Sequence, residues 1–247
     1  MPKLFNEFTN TQGVIVYGGE ASTDYGIVVS EAPTFEKPKK RVQVFNVQGR
    51  NGSVIIEDGS FDDVTRNYKV WVAKDRFEEL PEIVDAVSSW LYSKSGYVRL
   101  EDTFEPDVYR LAYYVGGQEV TNKLLQYGTT TLSFTCRPER FLKDAEREQT
   151  FSNGSKINNP TRYASKPLIH IEGSGSVSIS INGVTMTATL TDYINIDCER
   201  MNAYRLPSEN MNDKISGSFL LIQPGMNTIA TTGTISSLTI VPRFYTI

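Results

Sequence analysis

The sequence has little of the chemistry that metal proteins and hydrolytic enzymes use. Its 247 residues include one histidine, His170, and two cysteines, Cys136 and Cys198. A single imidazole excludes every motif that needs two histidines. Two cysteines far apart in the chain form neither a CxxC site nor a disulfide framework. We therefore predict two free cysteines that pack in the interior.

The sequence also lacks a large excess of positive or negative charge and has no long apolar run. The net charge is −4, from 25 Lys and Arg against 29 Asp and Glu. This balance offers no basic footprint for binding the phosphates of nucleic acid. The mean hydropathy is −0.30, and no apolar run approaches the roughly 20 residues of a membrane-spanning helix. The first residues lack the apolar stretch of a secretory leader. The expectation is a soluble protein, made in the cytoplasm, that has no membrane contact.

Motifs for catalysis are missing as well. The run Gly173-Ser174-Gly175-Ser176 is not a GxSxG nucleophile elbow, and residues 151–157 lack the spacing of a P-loop. A glycosidase needs two carboxyl groups that face each other across a cleft. One acidic cluster precedes a predicted strand, where acids are typical of turns, and comprises Glu101, Asp102, Glu105 and Asp107. We predict no catalytic residue, no cofactor and no metal site, and hence no enzyme.

Period-two alternation is the dominant pattern. Residues 176–190 alternate apolar and polar side chains around Asn182-Gly183, which predicts a β-hairpin with a type I′ turn. The rest of the chain after Lys166 also contains only strand patterns. Further strands are expected on either side of the turn residues Asn51, Gly52, Gly116, Gly117, Pro224 and Gly225.

One helix interrupts the strands in the first half of the chain. Its apolar side chains recur at helical spacing, with Pro81 near the start, where a missing N–H costs little. The apolar face comprises Phe77, Leu80, Ile83, Val84, Val87, Trp90 and Leu91.

A change of composition divides the chain. Residues 143–165 are first charged and then rich in Ser, Asn, Gly and Pro, which is typical of a connecting segment. We predict an N-terminal domain of residues 1–142, a linker of residues 143–165 and a C-terminal domain of residues 166–247. Both domains are expected to be mainly β.

A set of short motifs, taken in order, resembles one protein family. The sequence is similar to the distal tail (Dit) proteins of long-tailed, non-contractile bacteriophages, and the resemblance covers nearly the whole chain. Its motifs include Asp24-Tyr25-Gly26-Ile27, Gly49-Arg50-Asn51-Gly52, Phe134-Thr135-Cys136-Arg137-Pro138, Ile181-Asn182-Gly183, Pro224-Gly225-Met226-Asn227 and Pro242-Arg243-Phe244.

The resemblance implies a structural role at the tip of a virion tail. Such a protein forms a ring, usually a hexamer, that joins the tail tube protein to the tail-tip and receptor-binding proteins. DNA passes through the lumen without specific binding. The N-terminal domain, a β-sandwich with one helix and a long hairpin, builds the ring within residues 1–142. The C-terminal domain is a galectin-like antiparallel β-sandwich that serves as a platform for other tip proteins.

Two other functions stay open. The strand pattern, with 13 Tyr and 12 Phe, is compatible with a carbohydrate-binding module of a cell-wall adhesin. A wall-degrading hydrolase would depend on the acidic cluster alone. Both tryptophans, Trp71 and Trp90, lie in the first half, so the C-terminal domain has none to stack on a sugar ring.

Overall fold

The structure is a computed structural model that describes residues 13–34, 36–72, 80–116 and 128–247. The chain divides into two compact units, Met1–Arg140 with Ile247, and Phe141–Thr246. Antiparallel strands dominate both units, so the predicted fold class is confirmed. The described part of the chain holds no helix of the length and apolar character needed to cross a membrane.

Unit 1 is built on a curved antiparallel sheet and one helix. Seven strands are neighbours in the order β2-β1-β7-β8-β9-β6-β3, while β4 and β5 pair only with each other among the described strands. The elements are β1 Ile15–Tyr17, β2 Glu20–Ala21, β3 Ile27–Val29, β4 Lys40–Phe45, β5 Val54–Phe61, β6 Val64–Val72, α1 Leu80–Tyr92, β7 Val98–Asp102, β8 Val108–Tyr114 and β9 Thr129–Cys136.

The core of unit 1 lies between this sheet and α1. The predicted apolar face of the helix is buried at Ile83, Val84, Val87, Trp90 and Leu91. The Trp90 indole N–H donates to the Tyr17 carbonyl at 3.1 Å, which satisfies its polar atom inside the core. Phe77 and the side chain of Leu80 lie outside what the structure describes.

Unit 2 contains the remaining strands, except that β10 begins at Arg140, the last residue of the main segment of unit 1. The order is β11-β18-β13-β14-β17, with β12 beside β18, β15 beside β13 and β16 beside β15. The strands are β10 Arg140–Leu142, β11 Gln149–Thr150, β12 Lys156–Asn159, β13 Leu168–Ile181, β14 Val184–Leu190, β15 Tyr193–Asp197, β16 Asn202–Tyr204, β17 Ile215–Gly217, β18 Gly225–Val241 and β19 Tyr245–Thr246.

The two longest strands of unit 2, β13 and β18, pair along most of their length. The register of this pair shifts between Glu172 and Gly173 and again between Ser174 and Ser178, and such bulges bend a strand. At Gly233, φ is +93° and a Cβ would lie 2.5 Å from the Ser176 carbonyl oxygen, so only glycine fits. On one side of the bulges β13 pairs with β15, and on the other side it pairs with β14. Apolar side chains from both halves of β13 then enter one core.

The segment 143–165, which the sequence assigns to a linker, takes part in unit 2. Both β11 and β12 hydrogen-bond to β18, and the boundary between the units falls between Arg140 and Phe141. The strand β12 presents Ile157 and Asn159 to the interior. One apolar residue and one amide are too weak a pattern to reveal a strand in the sequence. Independent folding of the two units stays a prediction.

Candidate functional site

The acidic cluster of the sequence forms internal ion pairs. Arg66 donates from Nη2 to Asp102 Oδ2 at 2.9 Å, and the Tyr68 hydroxyl donates to the same oxygen at 2.7 Å. Glu105 accepts from Arg110 and Arg140. Asp102 and Glu105 are buried, so these charges neutralise each other inside unit 1. Their arrangement holds the fold together and presents no carboxyl pair across a cleft.

The two remaining acids of the cluster lie apart from this network. Glu101 accepts a hydrogen bond from Arg99, two residues earlier on β7, and Asp107 is exposed to solvent. The structure therefore does not unite the four carboxylates that the sequence grouped.

Both cysteines are buried and free. Burial raises the pKa of the Cys136 thiol to about 12 and that of the Cys198 thiol to about 11. A thiol with so high a pKa has almost no thiolate near neutral pH, and the thiolate is the reactive form. Neither cysteine is equipped as a nucleophile.

His170 lies on the solvent side of β13, between the buried Ile169 and Ile171. Its Nδ1 is 2.8 Å from Asn195 Oδ1, and its Nε2 is 3.3 Å from Glu172 Oε1. The ring of Tyr193 lies 5.4 Å away. Across the described ranges, no three His, Cys, Asp or Glu side chains are grouped as a metal site.

The predicted turn at Asn182-Gly183 connects β13 to β14. Both residues have positive φ, 50° and 84°, and Ile181 pairs with Val184 across the turn. Positive φ at both central residues is what a type I′ turn requires. Pro224 and Gly225, with φ 82° at the glycine, lead into β18.

The other predicted turns lie in unit 1. Asn51 and Gly52 belong to the loop 46–53 between β4 and β5, which is wider than a two-residue turn. The Ser53 hydroxyl donates to Asn46 Oδ1 at 2.7 Å and closes this loop. The Gly116 carbonyl accepts from the Tyr92 hydroxyl at 2.6 Å. Gly117 and the predicted strand 118–120 lie outside the described residues, and β8 pairs with β9.

The hairpin of β4 and β5 is the most exposed apolar element of unit 1. Every residue of β4 is exposed. The side chains of Val44 and Ile55 are 57% and 60% exposed. Other large apolar residues exposed on the hairpin are Val42, Phe45, Val47 and Ile56.

Both faces of the hairpin carry large exposed apolar side chains, with Glu57 on the face of Val42 and Gln43 on the face of Phe45. Val44 pairs with Ile55, so these two and Val42 share one face, which we call the first face. Phe45 and Ile56 lie on the second face. A strand open to water normally has one polar face, and an isolated two-stranded hairpin is at best marginally stable in water. The hairpin is thus an exposed apolar element of the single chain.

Charges at the base of the hairpin are paired with each other. Lys40 contacts Glu57, and Arg41 Nε donates to Asp62 Oδ1 at 2.7 Å. The hydrogen bond from Arg41 to Asp62 raises the pKa of the guanidinium further above its ordinary value. The apolar side chains of the hairpin therefore extend beyond two ion pairs at its base.

Comparison with known proteins decides the fold. No family model and no curated protein matches the sequence. The crystal structure of the SPP1 Dit (gp 19.1) protein, a paradigm of the hub adsorption apparatus in phages that infect Gram-positive bacteria, matches with a TM-score of 0.73. The identity is 16%, over 95% of this chain and 99% of that chain. This chain has the Dit fold.

The resemblance to Dit proteins in the sequence motifs is thus confirmed at the level of the fold. Two structures of the phage p2 baseplate in its activated conformation, with Sr and with Ca, match more weakly. Their TM-scores are 0.49 and 0.47, with 11% identity over 93% of this chain and 97% of each of those chains. The strand pattern placed the residues of the exposed hairpin among ordinary strands, whereas the family resemblance implied a long hairpin in the N-terminal domain. The continuous apolar run 54–56 was the signal, because it puts apolar residues on both faces.

Proposed function

We propose that this chain is a structural hub protein of a bacteriophage tail tip. In this role the chain forms a ring between the tail tube and the tip. The resemblance to Dit proteins implies that the ring contains six copies. The observation that carries the proposal is the hairpin of unit 1, apolar on both faces and exposed in the single chain, within a Dit fold. An exposed apolar element of this kind marks a protein contact.

Ring formation resides in residues 1–142. A ring arises when one surface of each copy binds a different surface of the next copy and the rotation closes. The hairpin supplies one such surface. Its internal ion pairs, Lys40 with Glu57 and Arg41 with Asp62, support this role because no lone charge must be buried when a neighbour covers it.

Unit 2 is the platform for other tail-tip and receptor-binding proteins, and its arrangement is galectin-like. Its three longest strands, β13, β14 and β18, contain no Phe, Tyr or Trp. Stacking of an aromatic ring on a sugar face is therefore not supported on these strands. This composition favours protein contacts over sugar recognition.

DNA passes through the lumen of the ring without being held. The chain carries a net charge of −4, and Lys40 and Arg41 are neutralised by carboxylates. Lysines facing the path of DNA would bind it through counterion release and slow its passage.

Carbohydrate binding by unit 2 is the second candidate function. The cluster of His170, Asn195 and Tyr193 favours it, because an imidazole, an amide and a ring lie together on the solvent side of β13 and β15. The hub role has the wider support, since the Dit match covers both units.

Native mass spectrometry of the full chain tests the hub role. We expect a closed oligomer of one defined stoichiometry at micromolar concentration. Antibodies against the chain should label one end of purified virion tails in electron micrographs. A monomer at high micromolar concentration together with unlabelled tails would contradict the proposal.

A further inference from the structure

Three Asn-Gly pairs occur in the chain, at Asn51-Gly52, Asn153-Gly154 and Asn182-Gly183. In such a pair the backbone nitrogen of the glycine can attack the side-chain carbonyl carbon of the asparagine. Glycine favours this attack because it has no Cβ to obstruct the approach and adopts a wide range of backbone angles. The reaction also requires that both groups are free to move. The structure holds the three pairs in three different ways.

The pair Asn182-Gly183 is held through both atoms of the asparagine amide. Asn182 Nδ2 donates to Asn227 Oδ1 at 2.8 Å, and Asn182 Oδ1 accepts from the Thr228 N–H at 2.9 Å. Both bonds tie the side chain to β18. The amide must lose two hydrogen bonds before it can turn toward the Gly183 nitrogen.

The pair Asn153-Gly154 is restrained at the carbonyl oxygen and at the attacking nitrogen. Asn153 Oδ1 accepts from the Thr231 N–H at 3.0 Å. The Gly154 N–H donates to the Ile229 carbonyl at 2.9 Å, so the nitrogen that would attack already takes part in a hydrogen bond. Both partners belong to β18, and this pair is therefore anchored to the sheet of unit 2.

The pair Asn51-Gly52 has neither restraint. It lies in the loop 46–53, in which every residue is exposed. The hydrogen bonds of this loop join Ser53 to Asn46 and Arg50 to Val47. Among the residues that the structure describes, none is hydrogen-bonded to the Asn51 side chain or to the Gly52 N–H. A Cβ placed on Gly52 would have no atom within 4 Å, so the Asn51 side chain has room to rotate.

We propose that Asn51 is a site of spontaneous covalent modification by deamidation. Base in solution removes the Gly52 N–H proton, and the nitrogen forms a bond to Asn51 Cγ. The bond from Cγ to Nδ2 then breaks, and ammonia leaves with a proton taken from water. Water opens the resulting succinimide ring at either of its two carbonyl carbons, which gives aspartate or isoaspartate. Water and base are the only co-reactants.

The modification changes the charge at the tip of the hairpin. Arg50 is the one charged residue in the sequence of the loop 46–53, so the charge of the loop falls from +1 to zero when Asn51 becomes a carboxylate. In isoaspartate the main chain also continues through the side chain, which adds a methylene to the backbone between β4 and β5. The proposal depends on the loop alone and is independent of the hub function.

Peptide mapping of the folded full chain tests the proposal. The chain is kept at mildly alkaline pH, because base removes the amide proton, and tandem mass spectrometry with retention standards then distinguishes asparagine, aspartate and isoaspartate. We expect Asn51 to convert at least about tenfold faster than Asn153 and Asn182, a ratio that corresponds to about 1.4 kcal/mol of local opening at the restrained pairs. In guanidinium chloride, where the restraining hydrogen bonds are lost, the three rates should become similar.

The matched variant is Asn51→Gln, because glutamine would have to close a larger ring and reacts more slowly. Isoelectric focusing should show that the first acidic form to accumulate in the unsubstituted chain is absent from this variant. Position 51 is exposed, and urea unfolding checks that the variant folds. Equal rates at the three pairs in the folded chain, or an Asn51 that reacts much more slowly folded than unfolded, overturns the proposal. The same acidic form in Asn51→Gln also overturns it.

Discussion

Val44 and Ile55 face each other across the hairpin of unit 1, and both side chains are more than half exposed. Each would contribute about 1.5 to 3 kcal/mol if fully buried. On the other face, Phe45 pairs with Val54 and Ile56 pairs with Gln43, and both Phe45 and Ile56 are exposed. In the proposed hub role, a neighbouring protein that covers the hairpin would add the free energy of burying these side chains.

Ile55→Glu should weaken assembly and leave the fold intact. The substitution places a carboxylate in the proposed contact, and loss of one buried aliphatic side chain lowers affinity by at least about tenfold. Native mass spectrometry over a concentration series measures the effect. The matched control is Val184→Glu, an equally simple change at an exposed valine of unit 2. Assembly that resists the hairpin change, or that fails equally in the control, would count against the hairpin.

Arg66→Ala should strongly destabilise unit 1. The guanidinium and Asp102 are both almost completely buried, and removing one partner leaves an uncompensated charge in the interior. The expected loss is about 3 to 5 kcal/mol of unfolding free energy, measured by urea denaturation. Arg41→Ala, at an exposed ion pair, is the control and should not move the urea midpoint. Equal midpoints for both variants would show that the buried network adds nothing.

Asp197 should make unit 2 sensitive to acid. Burial alone would raise the pKa of Asp197, but hydrogen bonds from Arg243 and from the backbone N–H groups of Arg200 and Glu199 outweigh it, so the net pKa is lowered from 3.8. The stabilisation is therefore complete well above pH 3.8 and is lost as the pH falls through the lowered value.

The measurement for this carboxylate is the unfolding free energy of Asp197→Asn and of the unsubstituted chain as a function of pH. The two should differ most near neutral pH and converge in acid. Asp107→Asn, at an exposed position, should differ little at any pH. A constant gap between Asp197→Asn and the unsubstituted chain down to the lowest pH would be inconsistent with the lowered pKa.

Thiol titration should find the same number of free cysteines with and without reductant. Cys136 and Cys198 belong to different units and are both buried. Their raised pKa values, about 12 and about 11, predict slow reaction with a thiol reagent in the native state and rapid reaction after denaturation. A gain of two thiols on reduction would refute the prediction.

Unit 2 should bind host-wall polysaccharide no tighter than millimolar. Its long strands offer no aromatic platform, although Tyr193 lies beside His170 and Tyr204 is on the adjoining strand. Isothermal titration with the polysaccharide should give no saturable signal. Saturable binding that disappears in Tyr193→Ala or Tyr204→Ala, and persists in Tyr92→Ala in unit 1, would assign sugar recognition to unit 2.

The structural features that the sequence predicts by itself are those that depend on residues close together in the chain. The turn at Asn182-Gly183 follows from the positive φ that both residues tolerate, and the buried face of α1 follows from the helical spacing of Ile83, Val87 and Trp90. Each of these two patterns is contained in a short stretch of sequence. The order of short motifs likewise pointed to the Dit fold before any tertiary contact was known.

Tertiary structure decided burial where the local pattern is ambiguous. Arg66 and Asp102 are 36 positions apart, and only the sheet order joins them. Residues 156–159 become a strand because β18 supplies their hydrogen bonds. The apolar run 54–56 resembles a buried strand in sequence, yet β5 pairs only with β4 and remains in solvent. Burial of such segments depends on what the rest of the chain places against them, and their own local pattern does not contain that information.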